Sequence, residues 1–242
     1  MARITETVKV LLIINVIFFI GSMTLGDMAI RLFAMWFPEN ENFQVWQILT
    51  HMFMHGGFGH ILFNMYGLWA FGSALEMKWG PQRFLFFYIS AGLGAVALHI
   101  GIDYFRYQSF FATLVDSGLT PQNINELLTT GRTSGGFDVS QDAIDGIASI
   151  YRSPMLGASG AVYGVLVGFG MLFPNVELML IFLPVPIKAK YFIPGLLCID
   201  LFFGITGSPL NIAHWAHLGG ALVGFLMVWY WKRNEFNKNR WD

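Results

Sequence analysis

Charged residues are scarce in this sequence. Only 12% of its 242 residues are charged, against about 25% in typical soluble domains. That scarcity excludes an ordinary water-soluble monomer, and 24 Phe and 8 Trp exclude a disordered chain. With 14 Lys+Arg against 15 Asp+Glu, there is no basic excess for binding nucleic acid. The single cysteine, Cys198, excludes an internal disulfide framework and a multi-cysteine metal site.

What the chain has in abundance is long apolar segments. A helix needs roughly 20 mostly apolar residues to cross a bilayer. Six segments fit this description: residues 9–26, 58–76, 82–102, 157–173, 190–206 and 211–231. Charges occur at or near segment ends, except for Asp200, which interrupts the fifth segment. The sequence therefore predicts an all-α membrane protein with six transmembrane helices in one domain, residues 1–242.

The distribution of Lys and Arg predicts the orientation. If the N-terminus is cytoplasmic, ten basic residues fall in the inside segments and four in the outside segments. This bias fits the positive-inside rule with both termini cytoplasmic. A cleaved signal peptide is the alternative for the first segment, but it lacks an A-x-A-like cleavage site and five more apolar segments follow it.

Two outer connections are long. Residues 27–57 form a first outer loop with apolar patches, and residues 103–153 form a polar insert. Within the insert, Pro121–Leu128 and Ser140–Tyr151 have the pattern of short amphipathic helices. About fifty residues is long for a passive connector, so we expect either an accessory lid or a family-specific insertion; nothing in it resembles a catalytic motif, and its role stays open.

Polar residues inside the spans are functional candidates because they are costly in a membrane. The second span contains His60 and Asn64, whose spacing of four places both on one helix face. Two such donors can bind a developing negative charge, or can simply hold neighbouring helices together.

The fourth span begins with Gly157, Ser159 and Gly160, and the sixth contains His217, Gly220 and Gly224. The small residues favour a close contact between two helices. Helix packing alone, without any catalytic role, also explains a serine among such residues. If these two helices pack together, His217 can reach Ser159 and serve as the base that a serine nucleophile needs. The predicted orientation places Ser159, His217 and His60 at similar depths near the outer face.

These motifs resemble those of the rhomboid intramembrane serine proteases. They are His-x-x-x-Asn at 60–64, Gly-x-Ser-Gly at 157–160 and Ala-His-x-x-Gly-x-x-x-Gly at 216–224, in the family's order. The run THMFMHGGFGH, with its two upstream histidines, also looks like the segment that precedes this second helix in bacterial members.

The resemblance implies a role for each matching residue. Ser159 is the nucleophile and His217 its general base and acid, in a dyad that lacks the usual carboxylate. His60, Asn64 and the Ser159 backbone N–H form the oxyanion hole. Tyr163 packs near the catalytic histidine. Gly157 and Gly220 match small-residue positions, and Gly224 completes the Gly-x-x-x-Gly face.

The resemblance also implies the setting. The substrates are single-span membrane proteins cut near the outer membrane face, the location is a bacterial cytoplasmic membrane, and no metal or organic cofactor is required. The oligomeric state is open. One departure concerns the first outer loop, where Trp46 is followed by Gln47 instead of the arginine that family members often carry. That departure leaves the usual anchoring of this loop in question.

Several alternatives stay open at this point. His214 lies three residues before His217 and is its rival as the base, although it should lie at the surface. For the whole protein, the alternatives are a catalytically silent binder of transmembrane clients and a small transporter. A silent relative should lack the serine or the histidine, and a transporter favours charges near the midplane. The role of Asp200 is not predicted.

Overall fold

The computed structural model describes residues 3–132, 139–180, 183–207 and 212–238. Eleven helices occur in these ranges: α1 (Glu6–Leu25), α2 (Asp27–Phe33), α3 (Gln47–Thr50), α4 (Phe58–Gly67), α5 (Ser73–Trp79), α6 (Pro81–Asp116), α7 (Pro121–Thr130), α8 (Gln141–Arg152), α9 (Ser159–Leu172), α10 (Ala189–Thr206) and α11 (His214–Lys238). A 3₁₀ turn at His51–Phe53 and a π-helical turn at Leu68–Gly72 lie beside α3 and between α4 and α5. Strands β1 (Glu177–Leu180) and β2 (Leu183–Lys188) form an antiparallel hairpin.

Helices form in the apolar segments because every backbone polar group must be satisfied internally there. Three described helices are long and apolar enough to cross a membrane, namely α1, α6 and α10, and α9 is apolar but shorter. The other two predicted spans are also helical, but the π-helical turn divides Phe58–Trp79 and polar residues begin α11. The number of crossings and the orientation of the termini stay predictions.

The third predicted span ends in the wrong place. The prediction stopped it at residue 102, but α6 continues without a break to Asp116. Charges at Asp103 and Arg106 suggested a loop, whereas the segment stays helical because its apolar residues are covered by the insert. Tyr107 and Leu114 pack there against Ile124 of α7 and Ile147 of α8.

The two short helices predicted in the insert are present as α7 and α8. Thr120 caps α7 in a reciprocal arrangement with Asn123, and Arg152 at the end of α8 donates to the carbonyls of Leu127 and Leu128. Residues 133–138 of the connector between them lie outside the described part of the chain. The insert therefore has its own apolar cluster, to which Phe37 of the first outer loop also belongs.

The centre of the molecule is built from α6, α9 and α11, which pack closely on one another. Glycines allow this approach. A Cβ added at Gly220 of α11 would lie 1.9 Å from the Gly160 carbonyl oxygen of α9, and one at Gly224 would lie 2.8 Å from the Cα of Gly164. The predicted contact between the fourth and sixth spans is therefore present as α9 against α11.

A buried carboxylate fixes the start of α1. Glu76 of α5 accepts hydrogen bonds from the Thr5 hydroxyl at 2.5 Å and from the backbone N–H groups of Thr7 and Val8 at 2.9 Å. Backbone N–H groups in the first turn of a helix have no acceptor within that helix, and Glu76 provides one for Thr7 and Val8. The interaction locks α1 to α5 at the end of the bundle opposite Ser159.

Candidate active site

Ser159 is the first residue of α9 and is held by the segment before it. Met155 pairs with Met35 through two backbone hydrogen bonds of 2.8 Å, and the Gly157 N–H donates to the His51 carbonyl at 2.9 Å. Gly157 adopts φ +129°, and a Cβ there would lie 2.8 Å from the His60 ring. Only glycine fits this position without strain, so the backbone that leads into Ser159 is set by sequence.

His217 reaches Ser159 across the contact between α9 and α11. Its Nε2 lies 3.0 Å from the Ser159 Oγ, a hydrogen-bonding distance. The close approach at Gly220 makes this distance possible, because it brings the two helix backbones together next to both residues. The structure thus brings together the serine and the histidine that were predicted to meet.

Tyr163 lies one helical turn after Ser159 and covers the histidine. Its ring stacks on the His217 imidazole with centroids 4.1 Å apart and an interplanar angle of 11°. The ring blocks rotation of the imidazole on that side and keeps Nε2 aimed at Ser159.

The expected absence of a carboxylate is wrong. Asp200 of α10 is buried, and its Oδ1 lies 2.9 Å from Nδ1 of His217 and 2.6 Å from Nδ1 of His214. The prediction that His214 lies at the surface is also wrong, since it is only 8% exposed. Of the two histidines, it is His217 whose second ring nitrogen meets the serine. A signal for Asp200 existed in the sequence, because it is a charge in the middle of an apolar span rather than at its end.

Within the described residues, these three side chains are the cluster of possible metal ligands. The ligand atoms of Asp200, His214 and His217 lie within 4.8 Å of one another. Hydrogen bonds from the two histidines to the carboxylate already account for this arrangement. The expectation that no metal is required stays a prediction.

His60 and Asn64 lie on the side of the cavity that faces Ser159. Both line the same cavity of about 1960 Å³ as Ser159 and His217. The Asn64 amide donates to the His60 carbonyl at 2.9 Å within its own helix, and the His60 Nδ1 lies 3.4 Å from the Gly56 N–H. Because α9 begins at Ser159, the N–H groups of its first turn have no partner within that helix. The His60 ring and these N–H groups therefore lie close to the serine, whereas the Asn64 amide is bonded within its own helix.

The two upstream histidines, His51 and His55, pack beside the segment that carries His60. His51 is buried and its Nδ1 lies 2.9 Å from the Gln47 carbonyl. His55 packs edge-on against His60, with ring centroids 5.1 Å apart. Burial lowers the pKa of both His51 and His55 to about 4, so both are neutral at physiological pH.

Gln47 anchors the first outer loop. Its side chain is fully buried, and its amide donates to the carbonyls of Arg31 and Asn42 at 2.8 and 2.9 Å. Its carbonyl oxygen accepts from the Gln44 N–H at 3.1 Å. Trp46 adds a bond from its indole N–H to the Leu32 carbonyl at 2.8 Å. The departure from the Trp-Arg pattern thus leaves the loop anchored by an amide instead of a guanidinium.

The polar insert forms one wall of the cavity. Ser149 and Ile150 of α8 line it, as do His99, Asp103 and Arg106 of α6. The Asn40 amide of the first outer loop donates to the Tyr151 carbonyl at 2.6 Å, which ties that loop to the insert. The insert therefore lines the same cavity as Ser159, and its expected role as an accessory lid or a family-specific insertion stays a prediction.

Apolar helices that are long enough to cross a membrane, with a serine–histidine pair at a cavity between them, define the class of protein as a helical membrane protein. A family model for the rhomboid domain matches residues 42–234 of the chain. The chain belongs to the rhomboid family, whose members are generally intramembrane serine proteases. The family predicted from the motifs is thereby confirmed.

Curated relatives agree with this assignment. RHOMBOID-like protein 12, mitochondrial, of Arabidopsis thaliana is 30% identical over 178 residues, 73% of this chain and 43% of that protein. Rhomboid protein 1, mitochondrial, of Saccharomyces cerevisiae is 27% identical over 186 residues, 76% of this chain and 41% of that protein. An uncharacterized mitochondrial rhomboid protein of Schizosaccharomyces pombe is 27% identical over 210 residues, 78% of this chain and 52% of that protein.

The chain spans about half the length of the curated relatives it matches. Their names place them in mitochondria, so they do not support the predicted location in a bacterial cytoplasmic membrane.

Proposed function

We propose that this protein is an intramembrane serine endopeptidase in which Ser159 is the nucleophile and His217 the general base. The observation that carries the proposal is the 3.0 Å distance between Ser159 Oγ and His217 Nε2 at a cavity enclosed by apolar helices. A serine hydroxyl is a weak nucleophile until a positioned base removes its proton. The pair has the geometry that this proton transfer requires.

The reaction follows from this geometry. Ser159 Oγ attacks the carbonyl carbon of the scissile peptide bond while its proton passes to His217 Nε2. The tetrahedral oxyanion accepts hydrogen bonds from His60, Asn64 and the Ser159 backbone N–H. The imidazolium then gives its proton to the leaving amine, the C–N bond breaks, and an acyl-enzyme ester remains. Water, activated by the same histidine, hydrolyses the ester.

The oxyanion donors are the main source of rate enhancement after the nucleophile itself. Donors fixed in place before the reaction need no reorganisation when charge develops, and one of them is typically worth about 10²–10³ in rate. His60 is held close to Ser159 by the narrow space above Gly157. The Asn64 amide is bonded to the His60 carbonyl within α4, so the proposed role requires it to exchange this acceptor for the oxyanion.

We further propose that the substrates are transmembrane segments of single-span proteins, taken from the bilayer. The cavity is lined by Phe63 and Phe71 on one side and by Phe192, Leu196 and Phe203 of α10 on the other. An apolar substrate helix can pack between these two groups of apolar side chains. Its polar backbone becomes available for cleavage only where it unwinds inside the cavity, since protein and water must satisfy it there.

The arrangement in the membrane is part of the same proposal. The chain is one domain with six spans, both termini on the side rich in Lys and Arg, and Ser159 near the opposite face. The basic residues of the inside segments favour this orientation. A partner other than substrate and lipid is not required by the site.

Proteolysis by the purified protein in liposomes tests the proposal. A labelled single-span substrate is incubated with wild type, Ser159→Ala, His217→Ala and His214→Ala proteins. We expect wild type to cleave and the first two variants to lose cleavage. If the His214 variant loses cleavage while the His217 variant retains it, the base is misassigned. If wild type neither cleaves nor reacts with a fluorophosphonate, the protein is a binder of transmembrane clients.

A further inference from the structure

The carboxylate of Asp200 completes a continuous line of polar atoms that begins at the serine. Ser159 Oγ lies 3.0 Å from His217 Nε2, and His217 Nδ1 lies 2.9 Å from Asp200 Oδ1. Asp200 is only 3% exposed and comes from α10, whereas the other two residues come from α9 and α11. A buried charge in an apolar helix is costly and calls for a specific purpose.

The chemistry of a carboxylate decides which tautomer His217 adopts. An ionised carboxylate only accepts hydrogen bonds, so the Nδ1 that faces Asp200 must carry the proton. The neutral ring then has its lone pair on Nε2, the nitrogen that faces the Ser159 hydroxyl. This is the tautomer in which the histidine acts as a base toward the serine.

We propose that Asp200 is a positioning residue of the active site, so that the protein works with a Ser159–His217–Asp200 triad instead of a dyad. The inference rests on the proposed protease function. When Ser159 transfers its proton to Nε2, the ring becomes an imidazolium that still donates from Nδ1 to Asp200. The carboxylate stays ionised and stabilises that cation, and the proton leaves from Nε2 to the departing amine.

His214 has a supporting part in this arrangement. Its Nδ1 donates to the same Asp200 oxygen at 2.6 Å, and its ring stacks on Phe203 with centroids 5.7 Å apart. A second donor to the carboxylate favours the ionised form and fixes the direction of Oδ1. Both histidines thus carry the proton on Nδ1, but only His217 places its other nitrogen at the serine.

The test compares Asp200→Asn with wild type in liposomes. The amide keeps the volume of the carboxyl group but can donate to Nδ1 and favour the inactive tautomer. We expect kcat to fall by about 10²–10⁴ with KM nearly unchanged. Cys198→Ser, a similarly small change at an exposed position of the same helix, serves as the matched control and should cleave at the wild-type rate.

A purely structural role for Asp200 gives a different result. The rate at which a fluorophosphonate phosphonylates Ser159, with loss of fluoride, is measured for Asp200→Asn with His217 present and in the His217→Ala background. We expect a large loss in the first case and no further loss in the second, because Asp200 acts through His217. An equal loss in both backgrounds contradicts the proposal.

Wild-type protein provides a test that needs no folded Asp200 variant. In protein with ¹⁵N-labelled histidine, the signal of His217 is identified by its absence from His217→Ala. We expect the neutral ring to carry its proton on Nδ1, and a proton on Nε2 overturns the inference. If wild type cleaves and Asp200→Asn cleaves within about threefold of it, the triad is rejected while the protease function stands. If wild type does not cleave, it is the proposed function that fails.

Discussion

Replacing Gly220 by alanine tests whether helix contact sets the catalytic distance. The new Cβ would lie 1.9 Å from the Gly160 carbonyl oxygen and 2.6 Å from its carbonyl carbon. These are backbone atoms of α9, so no side chain can rotate to make room. To reach the 3.4 Å at which ordinary contact begins, the two helices must separate by about 1.5 Å at this point.

The separation acts directly on the active site, since Ser159 is the neighbour of Gly160. The Ser159–His217 distance of 3.0 Å would be carried beyond hydrogen-bonding range. We expect a loss of activity of about 10²-fold or more and a loss of stability of about 1–3 kcal/mol from overpacking. Cleavage rate in liposomes and thermal unfolding in detergent measure the two effects.

Gly21→Ala is the matched control. Gly21 also lies inside a helix, α1, but no atom lies within 4 Å of the position of its added Cβ. The same substitution there should leave cleavage unchanged, and alanine favours a helix over glycine by about 1 kcal/mol. If Gly220→Ala retains wild-type activity and stability, the contact between α9 and α11 does not set the Ser159–His217 distance.

Three further predictions concern other parts of the site. Asn64→Ala should lower kcat by about 10²–10³ with little change in KM, because it removes one of the proposed oxyanion donors; a rise in KM alone in steady-state kinetics would place Asn64 in substrate binding instead. Gln47→Ala should reduce the stability of the fold by about 2–3 kcal/mol, because it leaves buried backbone groups of the first outer loop without partners; an unchanged unfolding temperature in detergent contradicts the proposed anchoring. The pKa of His55 is lowered by burial to about 4, so its unfolded form binds a proton at higher pH than its folded form. Stability should therefore fall as pH drops from 6.5 toward 4, and His55→Phe should reduce that dependence in pH-resolved unfolding.

The motifs with a fixed spacing on helices could be predicted from sequence. His60 and Asn64, four residues apart, share a helix face whatever packs against it. The glycines at 220 and 224 predict a close helix contact for a similar reason. These patterns are local, so the meeting of α9 and α11 followed from the sequence once the family was recognised.

The partner of Asp200 could not be predicted, because it depends on how three helices rotate about their axes. The sequence places Asp200 in an apolar span but does not say which face of α10 turns inward. For the same reason, His214, three residues before His217, was wrongly expected at the surface. Buried polar contacts between distant segments depend on tertiary packing rather than on local pattern.

Two other differences have physical causes of the same kind. Helix α6 passes through Asp103 and Arg106 because the insert covers its apolar side, and this compensation is invisible from charge alone. The hairpin Glu177–Leu180 with Leu183–Lys188 is short and lies between the fourth and fifth predicted spans, where the all-α prediction had no strand. Neither feature can be predicted from local composition.

The most direct test of the proposed nucleophile is the identity of the residue that a fluorophosphonate phosphonylates. Wild-type protein in liposomes is treated with a fluorophosphonate, digested, and analysed by mass spectrometry, beside His217→Ala. We expect an adduct on the peptide that contains Ser159 and a strongly reduced adduct in the variant. Cleavage of a transmembrane substrate without an adduct on Ser159, or an adduct on another serine, would contradict it.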